Sequence, residues 1–313
     1  MRLRKALRIV PGYQFARRSY RNLTEPDFKN REELQSWITT GMQLQDRLQL
    51  EPIVFRKGKA FVQARDGIEY WWNPDVQGGV LDLEFGSDFE RLELECVLSY
   101  LSTVAGERSV FLDIGGNCGL YSLNVARHFP KSQTYCFEPV PTSQAMIRVN
   151  SEHNGLADQI TLVGKALGDE LKTVRMTASY SAMDHLIMGS TSDELSPLII
   201  EVPMTTVDNF ITEHSVDRVD FIKCDVEGAE LLVFKGAQQA LASFHPPILL
   251  EIEARHTERF GYAPEELDTF LRRFGYEACI PCPADDVERL ASLREGIAQG
   301  YNNFLYLQQE SGN

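Results

Sequence analysis

From Ser109 to Leu307, short and nearly continuous apolar runs alternate with stretches of helical periodicity, and this alternation constrains the fold more than any other feature of the chain. Ser109–Leu112 is followed by Tyr121–Phe129 and Thr134–Phe137 by Ser143–Asn154, and Ile160–Val163 closes the first series. After an insertion with its own β-like pieces come Asp220–Cys224, a helix near Glu230–Ala242, Ile248–Ile252 and a helix near Pro264–Phe274. Final strands fall near Glu277–Ile280 and Phe304–Leu307. Strands that are apolar on both faces need cover on both faces, which a parallel sheet between two helical layers provides. The predicted fold is α/β, a doubly wound, mainly parallel, Rossmann-like sheet.

Ahead of this alternation the pattern is mixed. A polar, helix-like stretch, Glu32–Leu48, precedes β-like runs at Ile53–Phe55, Ala60–Gln63 and Ile68–Trp72. Residues 1–86 are read as an N-terminal α+β cap and residues 87–313 as the main domain. Ser87 followed three positions later by Glu90 has the form of a capping box, and Leu94, Val97, Leu98, Leu101 and Val104 then recur at helical spacing. Trp71 and Trp72 suit either packing or a substrate wall, and packing is the commoner role of aromatics on a small sheet.

The net charge of −14 removes binding by phosphate neutralisation, which needs a basic face, so no nucleic-acid partner is expected. Arg2, Arg4, Lys5, Arg8, Arg17, Arg18 and Arg21 nevertheless all precede the first acid, Glu25. They read either as a basic arm for an acidic partner or membrane surface or as a solvated terminus. No apolar core of a signal peptide follows them, and no apolar run reaches the roughly 18 residues of a membrane span. Cys96, Cys118, Cys136, Cys224, Cys279 and Cys282 mostly sit in or beside strand-like runs, where free thiols bury well. The C-x-x-C at Cys279 and Cys282 lacks the second ligand pair of a zinc site. A reducing, cytoplasmic compartment is the simplest inference.

Three segments carry chemistry. Asp113-Ile114-Gly115-Gly116-Asn117-Cys118-Gly119 joins the first strand of the alternation to a helix, with glycines that let the backbone turn and approach a ligand. A dinucleotide fingerprint would place glycine at 117 and 120, where this chain has Asn117 and Leu120, so a pyrophosphate cradle is disfavoured. Glu138 ends the next strand, where a carboxylate can accept hydrogen bonds from both hydroxyls of a ribose. Asp225, Glu227 and Glu230 follow a buried strand and enter a helix. Acids there face the ligand crevice of an open α/β sheet, or simply favour the helix dipole. Asp225 is the strongest ligand candidate and Glu230 the weakest.

In this combination the chain resembles the FkbM family of S-adenosylmethionine-dependent methyltransferases. The matching pieces, in the family's order, are Phe111–Gly119, Phe137-Glu138-Pro139, Ala166-Leu167-Gly168-Asp169, Thr205-Thr206-Val207-Asp208, Ile222–Glu230, Lys235-Gly236-Ala237 and Pro247–Ile252. They cover about residues 90 to 307. Gly116 departs from the alanine usual in the family, a change expected to leave the loop intact. The resemblance implies a class I methyltransferase fold with the cofactor across the carboxyl ends of the first two strands. It implies that Asp113 and the loop of Gly115, Asn117 and Gly119 hold the methionine part, Glu138 the ribose, and the turn from Ala166 to Asp169 the adenine, with Asp225 near the sulfonium.

The acceptor most consistent with this reading is a hydroxyl on a small molecule, sugar or glycan. Asp225, Glu227 and His256 are candidates for the general base, with His185 behind them. A metal route would place Mg²⁺ on Asp225 with Glu251 or Glu253 and ranks below the metal-free one. Two other functions compete: a degenerate methyltransferase fold serving as a binding module, and an NAD(P)-dependent oxidoreductase, against which Asn117 counts. The polar segment 179–197 reads either as a cover over the site or as an ordinary surface loop.

Overall fold

The computed structural model describes residues 53–56, 59–64, 67–72, 90–104, 108–178, 185–187, 199–284 and 287–309. The expected helix Glu32–Leu48, the basic arm, Ser87 and most of segment 179–197 lie outside the described residues. In chain order the elements are β1 (Ile53–Arg56), β2 (Lys59–Gln63), β3 (Glu69–Trp72), α1 (Arg91–Val104), β4 (Val110–Ile114), α2 (Leu120–His128), β5 (Gln133–Phe137) and α3 (Pro141–His153). There follow β6 (Ile160–Val163), β7 (Ala166–Leu167), β8 (Lys172–Thr177), β9 (Ile199–Thr205), α4 (Val207–His214), β10 (Phe221–Cys224), α5 (Glu230–Lys235) and α6 (Gln238–Phe244). The chain continues through β11 (Ile248–Glu251), α7 (Ala254–Thr257), α8 (Pro264–Arg272), β12 (Tyr276–Cys279), α9 (Leu293–Ala298) and β13 (Asn303–Gln308).

Seven strands form the central sheet in the order β12-β13-β11-β10-β4-β5-β6. Five of them, from β11 across to β6, run parallel, and β13 is antiparallel to both β11 and β12. This is the expected doubly wound, mainly parallel sheet. Every residue of β4 and β10 is buried, and side-chain alternation sends their two faces to different cores. Phe111, Phe221 and Leu249 join Val97, Leu101 and Tyr121 on one face. Leu112, Ile222 and Leu250 join Phe210, Leu241 and Leu267 on the other. Each such fully buried side chain contributes about 1.5–3 kcal/mol. Strand order reverses between β4 and β10, and the carboxyl ends at such a switch point open a crevice for ligands.

The helix expected over 230–242 is two helices. A β-carbon on Gly236 would lie 2.0 Å from the carbonyl oxygen of Gly168, so only glycine fits where α5 stops. The Asp208 amide donates to the Gly236 carbonyl, and the Asp208 carboxylate then accepts from the Gln239 and Ala240 amides at 2.9 Å each, capping α6. The segments around Gly168, Asp208 and Gly236, distant in sequence, therefore meet at one joint.

The insertion forms a separate small sheet, β7-β9-β8, with β7 parallel and β8 antiparallel to β9. The amino-terminal strands form an antiparallel sheet in the order β1-β2-β3. Trp71 and Phe61, each 2% exposed, pack from it against Cys118 and Met146, so Trp71 is a packing residue; the Trp72 side chain lies outside the described residues.

Candidate functional site

The loop after β4 is shaped by backbone bonds rather than by side chains. The amides of Gly115 and Gly116 both donate to the Phe137 carbonyl, at 3.0 and 3.1 Å, which ties the loop to the end of β5. Gly115, Asn117 and Gly119 all have left-handed backbone, with φ of 84°, 49° and 89°. At Gly115 a side chain is excluded outright, since a β-carbon would sit 1.8 Å from the Asp225 carbonyl oxygen. Glu138 anchors the loop from the neighbouring strand end: its Oε2 accepts from the Asn117 amide at 2.9 Å and its Oε1 from the Val140 amide at 2.8 Å. Asp113 lies beneath, fully buried, with Oδ2 accepting from both the amide and the hydroxyl of Ser122 in the first turn of α2. Burial pushes its carboxyl above the ordinary range, against the opposing influence of Lys223.

Across the switch point stand Lys223, in β10, and Asp225, directly after its end. Lys223 Nζ donates to the Gly115 carbonyl at 3.3 Å and to Asp225 Oδ2 at 3.4 Å, and stands 5.1 Å from the centre of the Tyr121 ring. The Tyr121 hydroxyl bonds Glu90, a non-glycine residue with φ of 50° directly before α1. Burial, then Asp225, raise the Glu251 carboxyl, and Lys223 works against them. The Asn302 amide group donates to the same carboxyl at 3.1 Å.

The third wall comes from the turns after β10 and β11. His256, 5% exposed on α7, has Nδ1 2.9 Å from Glu227 Oε2 and Nε2 3.5 Å from Glu253 Oε2. Glu227 is itself left-handed, with φ of 57°, and Gly228 follows with φ of 108°. A β-carbon on Gly228 would lie 2.4 Å from the His256 carbonyl oxygen, so this glycine lets the two turns touch. Glu230 holds the turn from below, where its Oε1 accepts from the Val226 and Gly228 amides. The Tyr262 hydroxyl lies 3.1 Å from Glu230 Oε2 and 2.9 Å from the Gly228 carbonyl. Glu230 is thus a buried clamp rather than a mere partner of the helix dipole.

These walls enclose a cleft of about 260 Å³. Of the residues singled out in the sequence, Gly115, Asn117, Glu138, Ala166, Asp225, Glu227, Glu251, Glu253, His185 and His256 line it together. Asp113 and Gly119 do not: Asp113 is committed to Ser122 beneath the loop, and Gly119 supplies the turn into α2. Asp169 does not either; the Gly168 amide bonds the Thr205 carbonyl, carrying the chain on toward β8, and Asp169 is exposed. The side chains of Asp113 and Asp169 and the backbone of Gly119 thus stand outside the cleft lining. Glu90, Tyr121 and Lys223 line the cleft without having been named as site candidates. Lys223 was legible, because a lysine inside an apolar strand run needs a buried partner and Asp225 stands directly after the strand's end.

Six carboxylates line the cleft, from Glu90, Glu138, Asp225, Glu227, Glu251 and Glu253, against the cations Lys165, Lys223 and Arg255. Among the described residues, no three His, Cys, Asp or Glu side chains are grouped to hold a metal ion. All six cysteines are free thiols, and no described helix is long and apolar enough to cross a membrane.

A family model described as the methyltransferase FkbM domain matches residues 113–278. The AMB antimetabolite synthetase AmbE of Pseudomonas aeruginosa is 24% identical over 271 residues, covering 74% of this chain and 13% of that protein. The 2-O-methyltransferase NoeI of Sinorhizobium fredii is 29% identical over 145 residues, covering 42% of this chain and 58% of that protein. The match thus spans less than two thirds of either relative. The crystal structure of methyltransferase FkbM from Methylobacillus flagellatus superposes with a TM-score of 0.42 at 16% identity, covering 67% of this chain and 47% of that one.

Proposed function

Because the chain belongs to the FkbM methyltransferase family, we propose that it methylates a hydroxyl oxygen on a small molecule, sugar or glycan, with His256 as general base. The observation that carries the proposal is the buried His256 in the cleft wall, its Nδ1 2.9 Å from Glu227. Glu227 and Glu253 stand at the two ring nitrogens, 2.9 and 3.5 Å away, and orient the imidazole in the cleft wall, where Nε2, the more loosely held, would exchange a proton with an acceptor. The name of NoeI, a 2-O-methyltransferase, points the same way.

The lining suits S-adenosylmethionine, which carries an ammonium, a sulfonium and a ribose diol, because acidic side chains outnumber Lys165, Lys223 and Arg255 around the cleft even with the Glu251 carboxyl raised to about 9 and so uncharged at neutral pH. When bound, it supplies a methyl group made electrophilic by the sulfonium. The backbone of Gly115 and Asn117 would approach the methionine part, Glu138 would accept from the ribose hydroxyls, Ala166 would flank the adenine, and Asp225 would face the cationic end. Asp225 is engaged by Lys223 and Glu227 by His256, which leaves the imidazole as the preferred base over either carboxylate. His256 would take the proton of the acceptor hydroxyl. Lys223 already supplies positive charge beside Asp225 and Glu251, so no Mg²⁺ is invoked.

The test is a panel of hydroxylated acceptors with methyl-labelled S-adenosylmethionine, the product read by carbon NMR. A methoxy signal, lost in His256→Ala, is expected. A labelled N-methyl or C-methyl product, or no calorimetric binding of the cofactor at millimolar concentration, overturns the proposal.

A further inference from the structure

We infer that the amino-terminal sheet acts on the cofactor loop through Asn150, which makes this side chain a positioning residue for cofactor binding. The inference rests on the cofactor site proposed above. Asn150 is fully buried on α3, and its single amide group faces two ways. Its Nδ2 donates to the Cys118 carbonyl, inside the glycine loop, at 2.9 Å. Its Oδ1 accepts from the Trp71 amide, in β3, at 2.7 Å. One rigid, planar group therefore fixes the distance between a strand near the amino terminus and the loop that borders the cleft.

Packing reinforces the same link. Trp71 and Phe61 stand against Cys118 and Met146, so the loop, tied to the central sheet at Phe137, is backed at Cys118 by the amino-terminal one. The carboxyl end of α3 and its cap, Asn154, hold β3 without touching the loop. Asn154 accepts from the Glu69 amide at 3.0 Å and donates to the Glu69 carbonyl at 2.8 Å. His153 lies 2.5 Å from the Glu69 carboxylate and stacks on Phe61 with ring centres 3.7 Å apart. Docking of β3 is thus shared by Asn150, His153 and Asn154, and of these three only Asn150 also bonds the loop.

The physical need is plain from the loop's composition. Gly115, Gly116 and Gly119 restrict the backbone least of all residue types, and a loop that has to be ordered on binding weakens the binding. Holding the Cys118 carbonyl from behind fixes the loop before the ligand arrives. The family model begins at Asp113, so β3 stands outside the matched segment, and this support comes from residues ahead of it.

The test uses the full chain and S-adenosylhomocysteine as the calorimetric probe. Asn150→Asp keeps the acceptor for Trp71 and removes the donor to Cys118, whereas Asn154→Ala removes two bonds to β3 and none to the loop. Asn150→Asp is expected to raise the Kd about tenfold, the effect of leaving one buried carbonyl unpaired. It should raise KM for the cofactor alike, with kcat at saturation nearly unchanged, and Asn154→Ala should stay within about twofold. Equal weakening by both variants, or by neither, overturns the inference. Hydrogen exchange on the unaltered protein gives a second reading should Asn150→Asp fail to fold. The probe should slow exchange at the Trp71 amide together with residues 115–120, and an unchanged Trp71 amide overturns the inference as well. If the unaltered chain does not bind the probe, the proposed cofactor site falls. If it binds and Asn150→Asp binds equally well, only this inference does.

Discussion

Lys223 Nζ, 3.4 Å from Asp225 Oδ2 and 3.3 Å from the Gly115 carbonyl, joins the ends of the two strands that border the crevice. Burial by itself would lower its pKa, but Asp225, Asp113, Glu90 and Glu251 together hold it above the ordinary lysine value. A folded-state value raised in this way gives stability that is complete below the unfolded pKa, about 10.4, and is lost only as pH climbs through the folded one. The ammonium is therefore a fixed charge at neutral pH, and no switch. Lys223→Met leaves buried acids without their cation, a change costing about 3–5 kcal/mol. The expected outcome is a fall in thermal midpoint and a cofactor Kd at pH 7 raised more than tenfold. Wild-type activity should survive EDTA, because the lysine, not a divalent ion, balances these acids. A chelator-sensitive enzyme would contradict that.

Glu138 does two things at once, since its oxygens already accept from the Asn117 and Val140 amides while its carboxylate lines the cleft. Glu138→Ala leaves two backbone donors without partners, at about 1–3 kcal/mol each if no water replaces the carboxylate. Left-handed Asn117 then loses its restraint. We expect cofactor affinity to fall at least tenfold, and Glu138→Gln, which keeps one acceptor oxygen, to fall between the two. Calorimetry with S-adenosylhomocysteine decides; unaltered binding by Glu138→Ala would show that the ribose lies elsewhere.

The strands were legible because β4 and β10 are apolar on both faces, and only a covered parallel sheet satisfies that pattern. The break at Gly236 was not, because its cause, the Gly168 carbonyl, lies far away in sequence. Glu227 and His256 were each visible as candidates, yet their contact depends on a left-handed glutamate and on the Gly228 approach, which no local pattern announces. Glu90 was hidden by its place at a helix start, where an acid reads as a cap; its hydrogen bond to Tyr121 emerges only once α1 packs beside α2.

Burial raises the Glu230 carboxyl to about 7, even though the Gly228 and Val226 amides favour its ionised form. Since the folded value exceeds the unfolded one, about 4.3, the folded state holds the proton more tightly, and stability must decline as pH rises from about 4.3 through 7. Glu230→Gln keeps an acceptor for the two amides and cannot ionise. Melting at pH 6 and pH 8 should show the wild type losing a few degrees more than this variant. Parallel losses would mean that the carboxyl is ionised throughout.

His256→Ala is expected to lower kcat by about 10²–10⁴, the usual contribution of a positioned base. Cofactor affinity should stay within about threefold, because no residue proposed to bind it depends on the imidazole. Glu227→Gln keeps the shape but not the charge beside Nδ1 and should produce a smaller fall in kcat. Measuring kcat and cofactor Kd for both variants separates a catalytic group from a binding one. A loss confined to affinity would move the base to another side chain.

Gly116 has no room for a side chain: a β-carbon there would lie 2.2 Å from Cys136 Sγ. The thiol, fully buried on β5, fills the space that an alanine methyl would need. Gly116→Ala in this chain is therefore an overpacking change, expected to cost about 1–3 kcal/mol. Cys136→Ala alone should cost about 1 kcal/mol through the small cavity it leaves. Together they should be milder than their sum, because each removes what the other lacks, with a coupling of at least about 1 kcal/mol. Denaturant unfolding of the four proteins in this cycle measures the coupling directly. Strict additivity would mean that the loop moves away from β5 instead of pressing on it.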